Sequence, residues 1–285
     1  MERIGSTYCP HPEWPGHLLP SIFIERTDHL RADEVGAYLD RIRLDTPSTD
    51  LEGLRRLQHA HLTAVPFENL DIALGSGVDH TLTAAIDKVV HRRRGGWCFE
   101  LNGAFSLLLR ALGFDVRLLG AAVLLDGPNT RLDHLVLEVS TDDGTLDPHL
   151  VDVGFGDSAT EPIPLNRPGA HPGGVADFEL LASPQGTTLA RLDTDGPRAE
   201  YRFKRVAHDF HDFAPIAHDL QNDPDRHWSQ APFATRLTGR GTDRVTLLGD
   251  RLRLRRDGGW TERPVASDEW SDVLAEWFSI DATLA

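Results

Sequence analysis

The spacing of apolar residues changes from helical to alternating at Gly113, and that change limits the folds open to this chain more than any other feature. Upstream the spacing is helical. Val35, Tyr38, Leu39 and Ile42 follow Asp33 and Glu34, and Leu51, Leu54, Leu57 and Leu62 follow Asp50. Pro66, which lacks an amide donor, ends that second helix. A shorter helix is expected over 84–92. A further one places Leu101, Ala104, Phe105, Leu108, Leu109 and Leu112 on a continuous stripe before Gly113. Downstream the period is two. Strands are expected over 116–125, 134–139 and 150–153, separated by turns at Asp126-Gly127-Pro128-Asn129 and Asp142-Asp143-Gly144. More follow near 178–181, 188–192 and 201–206. Short strands at this spacing predict a barrel or a curled antiparallel sheet.

From His208 the pattern is mixed. Pro215 and Pro224 read as breakers, and 245–248 with 252–254 form a hairpin about Gly249-Asp250. Residues 267–278 form a terminal helix with Ser267 as N-cap and Trp270, Val273, Leu274 and Trp277 on its apolar side. Residues 1–28, with His11, Pro12, Pro15 and Pro20, read as an arm.

Composition narrows the function. A net charge of −15 argues against a nucleic-acid or membrane-surface module, so an anionic substrate has to be held by backbone amides or arginines. Hydrophobic residues at 40%, with six Trp and 12 Phe, supply a real core over 285 residues and exclude wholesale disorder. The two cysteines, Cys9 and Cys98, make neither a disulfide framework nor a zinc pattern. No signal core and no membrane-spanning stretch is seen, so a cytoplasmic location is expected, where thiols stay reduced.

That setting suits Cys98. Arg94-Gly95-Gly96-Trp97-Cys98-Phe99-Glu100-Leu101-Asn102-Gly103 reads as a loop delivering the cysteine to the first turn of a helix. Unpaired amides and the helix dipole favour a thiolate there, and the thiolate is the reactive species. A small buried residue is the competing reading. A cysteine nucleophile needs a base and a group to orient the base. Among 14 histidines, His134 stands out because it opens an alternating strand in which Leu135, Leu137 and Val139 face a core. Asp152 lies on the next strand between Val151 and Val153, where a carboxylate needs a partner. On these residues alone, a satisfied strand histidine and a turn-proximal aspartate remain the simpler reading.

Four ordered motifs change that balance. Arg94-Gly95-Gly96-Trp97-Cys98-Phe99-Glu100-Leu101-Asn102 resembles the signature of the arylamine N-acetyltransferases. Val65-Pro66-Phe67-Glu68-Asn69-Leu70, His134-Leu135-Val136-Leu137 and Val151-Asp152-Val153-Gly154-Phe155-Gly156 are similar to the other family motifs and stand in the same order. Trp277-Phe278-Ser279-Ile280 resembles the family's C-terminal end, with Ser279 where Gly is common. The resemblance covers roughly residues 35–280 and is weakest in the last third. The spacing from His134 to Asp152 is slightly long, and an enlarged turn at Asp142-Asp143-Gly144 absorbs it.

The resemblance implies an α+β fold with a cysteine-protease-like core. A helical bundle with the arm and catalytic Cys spans 1–115, an antiparallel β-barrel with His and Asp 116–207, and an α/β lid 208–285. It implies a Cys98-His134-Asp152 triad that moves an acetyl group from acetyl-CoA, a co-substrate with no permanently bound cofactor, to an arylamine or hydrazine by ping-pong, as in xenobiotic metabolism. Phe155 and Gly156 are candidates for contact with acetyl-CoA, and Phe67 for the substrate pocket. Backbone amides near Cys98 are expected to hold the oxyanion. Arg94 and Glu100 are expected to form a mutual ion pair locking the loop, with Glu68 and Asn69 as further fixing groups. The alternating Arg251–Arg256 run reads as a solvated strand face. No metal is expected; His208 and His211 would need a third ligand. The protein is expected as a monomer or homodimer without nucleic-acid or membrane partners. The rival readings are an amide synthase of the same family acting on a carrier-bound polyketide chain, and a Cys-His-Asp thiol hydrolase.

Overall fold

The computed structural model describes residues 29–142, 144, 147–223, 231–239 and 241–281; the arm, Cys9, Asp143, Pro224 and His227 lie outside them. Upstream of Gly113 come α1 (Ala32–Ile42), α2 (Leu51–Ala64), the short strand β1 (Phe67–Glu68), α3 (Leu70–Ala73), α4 (Leu82–Ile86) with a π turn over Asp87–His91, and α5 (Cys98–Leu112). Asp50 starts α2 by accepting from the Gly53 amide at 2.8 Å. Gly113 ends α5 at φ +104°, in the left-handed region that favours glycine. Every residue of α5 from Cys98 to Leu109 is buried, as a helix without a polar face must be. It lies between α1 and α4 on one side and the first two barrel strands on the other. Each fully buried Leu or Phe adds about 1.5–3 kcal/mol, so sliding α5 is costly. That fixes its first residue, Cys98.

Downstream, β2 (Asp115–Val123), β3 (His134–Ser140), β4 (His149–Val151), β5 (Ile163–Pro164), β6 (Ala170–Pro172), β7 (Asp177–Ser183), β8 (Gly186–Asp193) and β9 (Gly196–His208) form an antiparallel sheet in the order β5-β4-β3-β2-β9-β8-β7-β6. Its edge strands β5 and β6 approach one another, giving a nearly closed barrel. The alternation expected in β3 resolves into two cores. Leu135, Leu137 and Val139 pack on the helices. Val136 points into the barrel with Leu119, Ala121, Leu150, Phe178, Tyr201 and Phe203.

A 3-10 turn (Phe210–Phe213) and α6 (Ala214–Asn222) connect the barrel to a second antiparallel sheet. Pro215 sits in the first turn of α6, where a missing amide costs nothing, so it opens a helix instead of breaking one. The second sheet comprises β10 (Phe233–Leu237), β11 (Arg244–Leu248), β12 (Arg251–Arg256) and β13 (Gly259–Pro264), and takes β1 as its edge strand. β11 and β12 form the expected hairpin.

The terminal helix departs from expectation. It starts at Trp270 as α7 (Trp270–Val273), passes into a π turn over Leu274–Phe278, and is not capped by Ser267. The Glu269 carboxylate accepts from the Ala266 amide at 3.2 Å and pairs with Arg263 at 3.1 Å, holding the preceding residues in a turn. Val273 and Leu274 are buried beneath the second sheet, with Trp270 and Trp277 against the same cluster. Ser279 follows at φ +56°, a left-handed conformation that glycine adopts at less cost. No helix among the described residues is long and apolar enough to cross a membrane.

Candidate active site

The loop before α5 is stitched to the upstream motif by its backbone. The Glu68 amide donates to the Gly96 carbonyl at 2.9 Å, and Phe67 bridges Gly96 in parallel. Gly95 passes so close to Pro66 that a Cβ would collide with the proline carbonyl. Five charged side chains lie beneath. The Arg94 guanidinium pairs with Glu68 and Asp71, each at 2.9 Å, and Lys88 pairs with Asp71 at 2.7 Å and Glu100 at 3.0 Å. The expected Arg94–Glu100 pair is therefore corrected. Glu100 faces Lys88 from one turn inside α5, and Arg94 is drawn the other way by carboxylates that β1 and α3 supply. Glu100 also accepts from the Trp97 amide at 3.1 Å, capping α5. Burial pushes its carboxyl up, with Lys88 pulling it down and Glu68 raising it further. Glu68 accepts from the Leu70 amide at 2.7 Å and holds Arg94 of the loop, whereas the Asn69 side chain bonds Phe233 and Ala231 and so ties the end of β1 to β10.

Cys98 opens α5 with 8% of its surface exposed, its sulfur 4.0 Å from the Asp133 carbonyl oxygen. Asp133 accepts from Val123 at 2.9 Å and Asn129 at 2.6 Å, tying the turn before His134 to the end of β2. His134 Nε2 donates to Asp152 Oδ2 at 2.7 Å. Cys98 acts on the same imidazole, raising it by a hydrogen bond and by charge. Burial alone would push the imidazole down, but the Asp152 carboxylate outweighs it and holds His134 up to about 10. Asp152 is buried too, yet His134, Asn102 and the Gly154 amide keep its carboxyl below the usual range. The structure thus brings the three residues together at the meeting point of α5, β3 and the end of β4.

Several supporting groups were not assigned from the sequence. Asn102, one helical turn beyond Cys98, donates to Asp152 Oδ1 at 2.9 Å and to the Leu135 carbonyl at 2.7 Å, and accepts from Val153 at 3.0 Å. The i, i+4 spacing within the cysteine motif is the signal that would have found it. Gln58 of α2 donates to the Asp152 and Ala159 carbonyls at 3.4 and 3.3 Å. Tyr201, fully buried, packs its ring 5.1 Å from His134, and no spacing rule marks it.

Phe155 packs 5.2 Å from both His134 and Tyr201. Gly156 follows at φ +95°, with Thr235 3.5 Å from where a Cβ would stand. Phe67 is 5% exposed and packs edge-on against Phe233. Gly154 is pressed onto the start of α5, where a Cβ would lie 2.8 Å from Cys98 Cα and 2.7 Å from Asn102 Nδ2. Gly154→Ala should therefore push the loop away from the thiol and lower turnover about 10²-fold at near-wild-type secondary structure. Steady-state rates with circular dichroism check this, and an unchanged rate would contradict it.

The Arg251–Arg256 reading needs one correction. Arg251 is exposed as expected and Arg253 half-buried, but Arg255 is largely covered and grips Asp157 at 3.0 and 3.1 Å. Its side chain reaches off the strand to the loop after Gly156, so alternation alone misjudged it. His208 Nδ1 lies 3.6 Å from Asp212, and no group of three or more metal-donor side chains occurs among the described residues.

A family model described as N-acetyltransferase matches residues 50–285. The arylamine N-acetyltransferase of Mycobacterium tuberculosis is 34% identical over 261 residues, 87% of this chain and 89% of that relative. That of Mycolicibacterium smegmatis is 45% identical over 141 residues, covering 47% of this chain and 51%, about half, of that relative. The structure of the Mycobacterium marinum arylamine N-acetyltransferase in complex with CoA superposes with a TM-score of 0.81 at 31% identity, covering 87% of this chain and 93% of that one.

Proposed function

Because this chain belongs to the arylamine N-acetyltransferase family, an acetyl-CoA-dependent group of acyltransferases, we propose that it moves acetyl groups from acetyl-CoA to arylamines or hydrazines through Cys98. The observation that carries this is the His134–Asp152 bond beside the thiol at the start of α5.

In the first half-reaction His134 holds the proton given up by Cys98. The thiolate attacks the thioester carbonyl, the bond to the coenzyme A sulfur breaks, and the departing thiolate takes that proton from His134. In the second, the amine nitrogen attacks the acetyl-cysteine carbonyl. His134 accepts the amine proton and Cys98 leaves as thiolate. Asp152 stays ionised throughout, held by Asn102 and the Gly154 amide, and steadies the imidazolium. Phe155 and Gly156, next to the imidazole, are assigned to acetyl-CoA contact. Phe67 is assigned to shaping the acceptor side from behind, through Phe233.

Acetyl-CoA alone should leave one acetyl group on the protein, mapped by mass spectrometry to the peptide containing Cys98. A simple aniline should then remove it as the acetanilide. An unmodified Cys98 would overturn the mechanism. An adduct discharged equally fast by water, with no gain from amine, would assign a hydrolase instead.

A further inference from the structure

Alternation fails in β9 where it faces the barrel: the consecutive residues Glu200 and Tyr201 are both fully buried. The cause is a bulge. Leu189 of β8 pairs with Tyr201 and Ala190 with Ala199, so Glu200 is the extra residue. Bulges re-aim side chains in this way, and they gather beside active sites. Here the bulge turns a carboxyl inward next to Tyr201, whose ring packs on His134.

That carboxyl grips the far end of the loop that begins at Asp152. One Glu200 oxygen accepts from the Ser158 hydroxyl, and the other accepts from Arg191 Nε at 3.2 Å. Arg191 in turn donates from Nη2 to the Asp157 main-chain oxygen at 2.7 Å. Two consecutive residues, Asp157 and Ser158, are thus tied to one side chain. Phe155, whose ring covers His134, stands just before them. The Glu200 carbonyl also accepts from the Leu124 amide at 2.8 Å, where β2 leads into the loop that ends at His134.

We propose that Glu200 is a positioning residue for acyl transfer, holding Phe155 and Tyr201 against the His134 ring through Ser158, Arg191 and the β9 bulge. The inference rests on the preceding assignment of Cys98, His134 and Asp152. A group chosen only to fill this space would be apolar, because burial makes the carboxyl costly and pushes it up to about 7, with the Asp152 charge adding to the rise and Ser158, Arg191 and Arg198 opposing it.

The test compares wild type with Glu200→Ala, Glu200→Gln and Ser158→Ala. It reads the rate of Cys98 acetylation by acetyl-CoA in a single turnover, the kcat and KM for acetyl-CoA, and circular dichroism. Glu200→Ala should slow acetylation about 10–100-fold, as loss of a supporting partner does elsewhere, with a smaller change in KM. Glu200→Gln keeps an acceptor for Ser158 and should recover most of the loss, and Ser158→Ala should fall between. A folded Glu200→Ala with wild-type rates overturns the proposal. So do wild-type rates in both Glu200→Gln and Ser158→Ala if Glu200→Ala fails to fold. A wild type that takes no acetyl group on Cys98 would instead bring down the preceding assignment.

Discussion

Replacing Cys98 with serine is expected to lower acetyl transfer by about 10⁴-fold or more while leaving the fold intact. The two side chains differ by one atom at a position that is already buried against α5's own turn and the Asp133 carbonyl, so packing changes little. The chemistry changes greatly. A thiol can pass its proton to an imidazole whose basicity Asp152 has raised, and a hydroxyl cannot, because its proton is held far more tightly. The serine variant would keep the His134–Asp152 bond and lose the nucleophile. Initial rates with acetyl-CoA and an aniline measure the loss. Iodoacetamide supplies the control: it should inactivate wild type, with protection by acetyl-CoA, and leave the variant unlabelled at this position. A serine variant within tenfold of wild type would remove Cys98 from the nucleophile's role.

The cysteine was legible in the sequence because two glycines and a clean helical stripe bracket it, and the fold class because the period changes at Gly113. Strand patterns made His134 and Asp152 candidates only, and the four ordered motifs singled them out. What alternation does not hold, the sequence does not show. Glu200 owes its burial to a one-residue register shift, and a shift of one reverses the face of every residue it displaces. The ion-pair partners were misassigned for a related reason. Arg94 and Glu100 are near neighbours in sequence, but β1 joins a sheet built mainly from the last third, and that pairing brings Glu68 and Asp71 to the arginine. Arg255 likewise reaches Asp157 across a great stretch of chain. Local patterns and the ordered motifs point to the candidate triad and miss the charges that hold its loop, since those converge only after both sheets have formed.

The second large effect should come from Asp152→Asn, which preserves shape and removes one charge. Asn102 and the Gly154 amide both donate to Oδ1, so asparagine keeps its oxygen there and turns its NH2 towards His134 Nε2, and the ring loses both its acceptor and the charge that chiefly offsets burial. The imidazole, held up to about 10 in the wild type, should fall below its ordinary 6.5. Turnover is expected to drop by about 10³–10⁴-fold, and the pH at which acetylation is lost on the alkaline side should move from near 10 to the acid range. Stability must follow with a definite sign. A histidine raised in the folded state contributes most below 6.5 and loses that contribution as pH rises through about 10. The lowered Asp152 contributes above its ordinary 3.8 and loses this as pH falls through the depressed value. Both contributions are present together in mildly acidic to neutral solution. There Asp152→Asn should cost about 3–5 kcal/mol, the usual loss on breaking a buried pair, and the deficit should shrink as pH rises from 6.5 to about 10 and level off above, where wild-type His134 has given up its proton. Denaturant midpoints taken across pH test this independently of catalysis. A deficit that stays constant from neutral to strongly alkaline solution would mean that His134 and Asp152 are not a charged pair, and that the imidazole meets Cys98 as a neutral base.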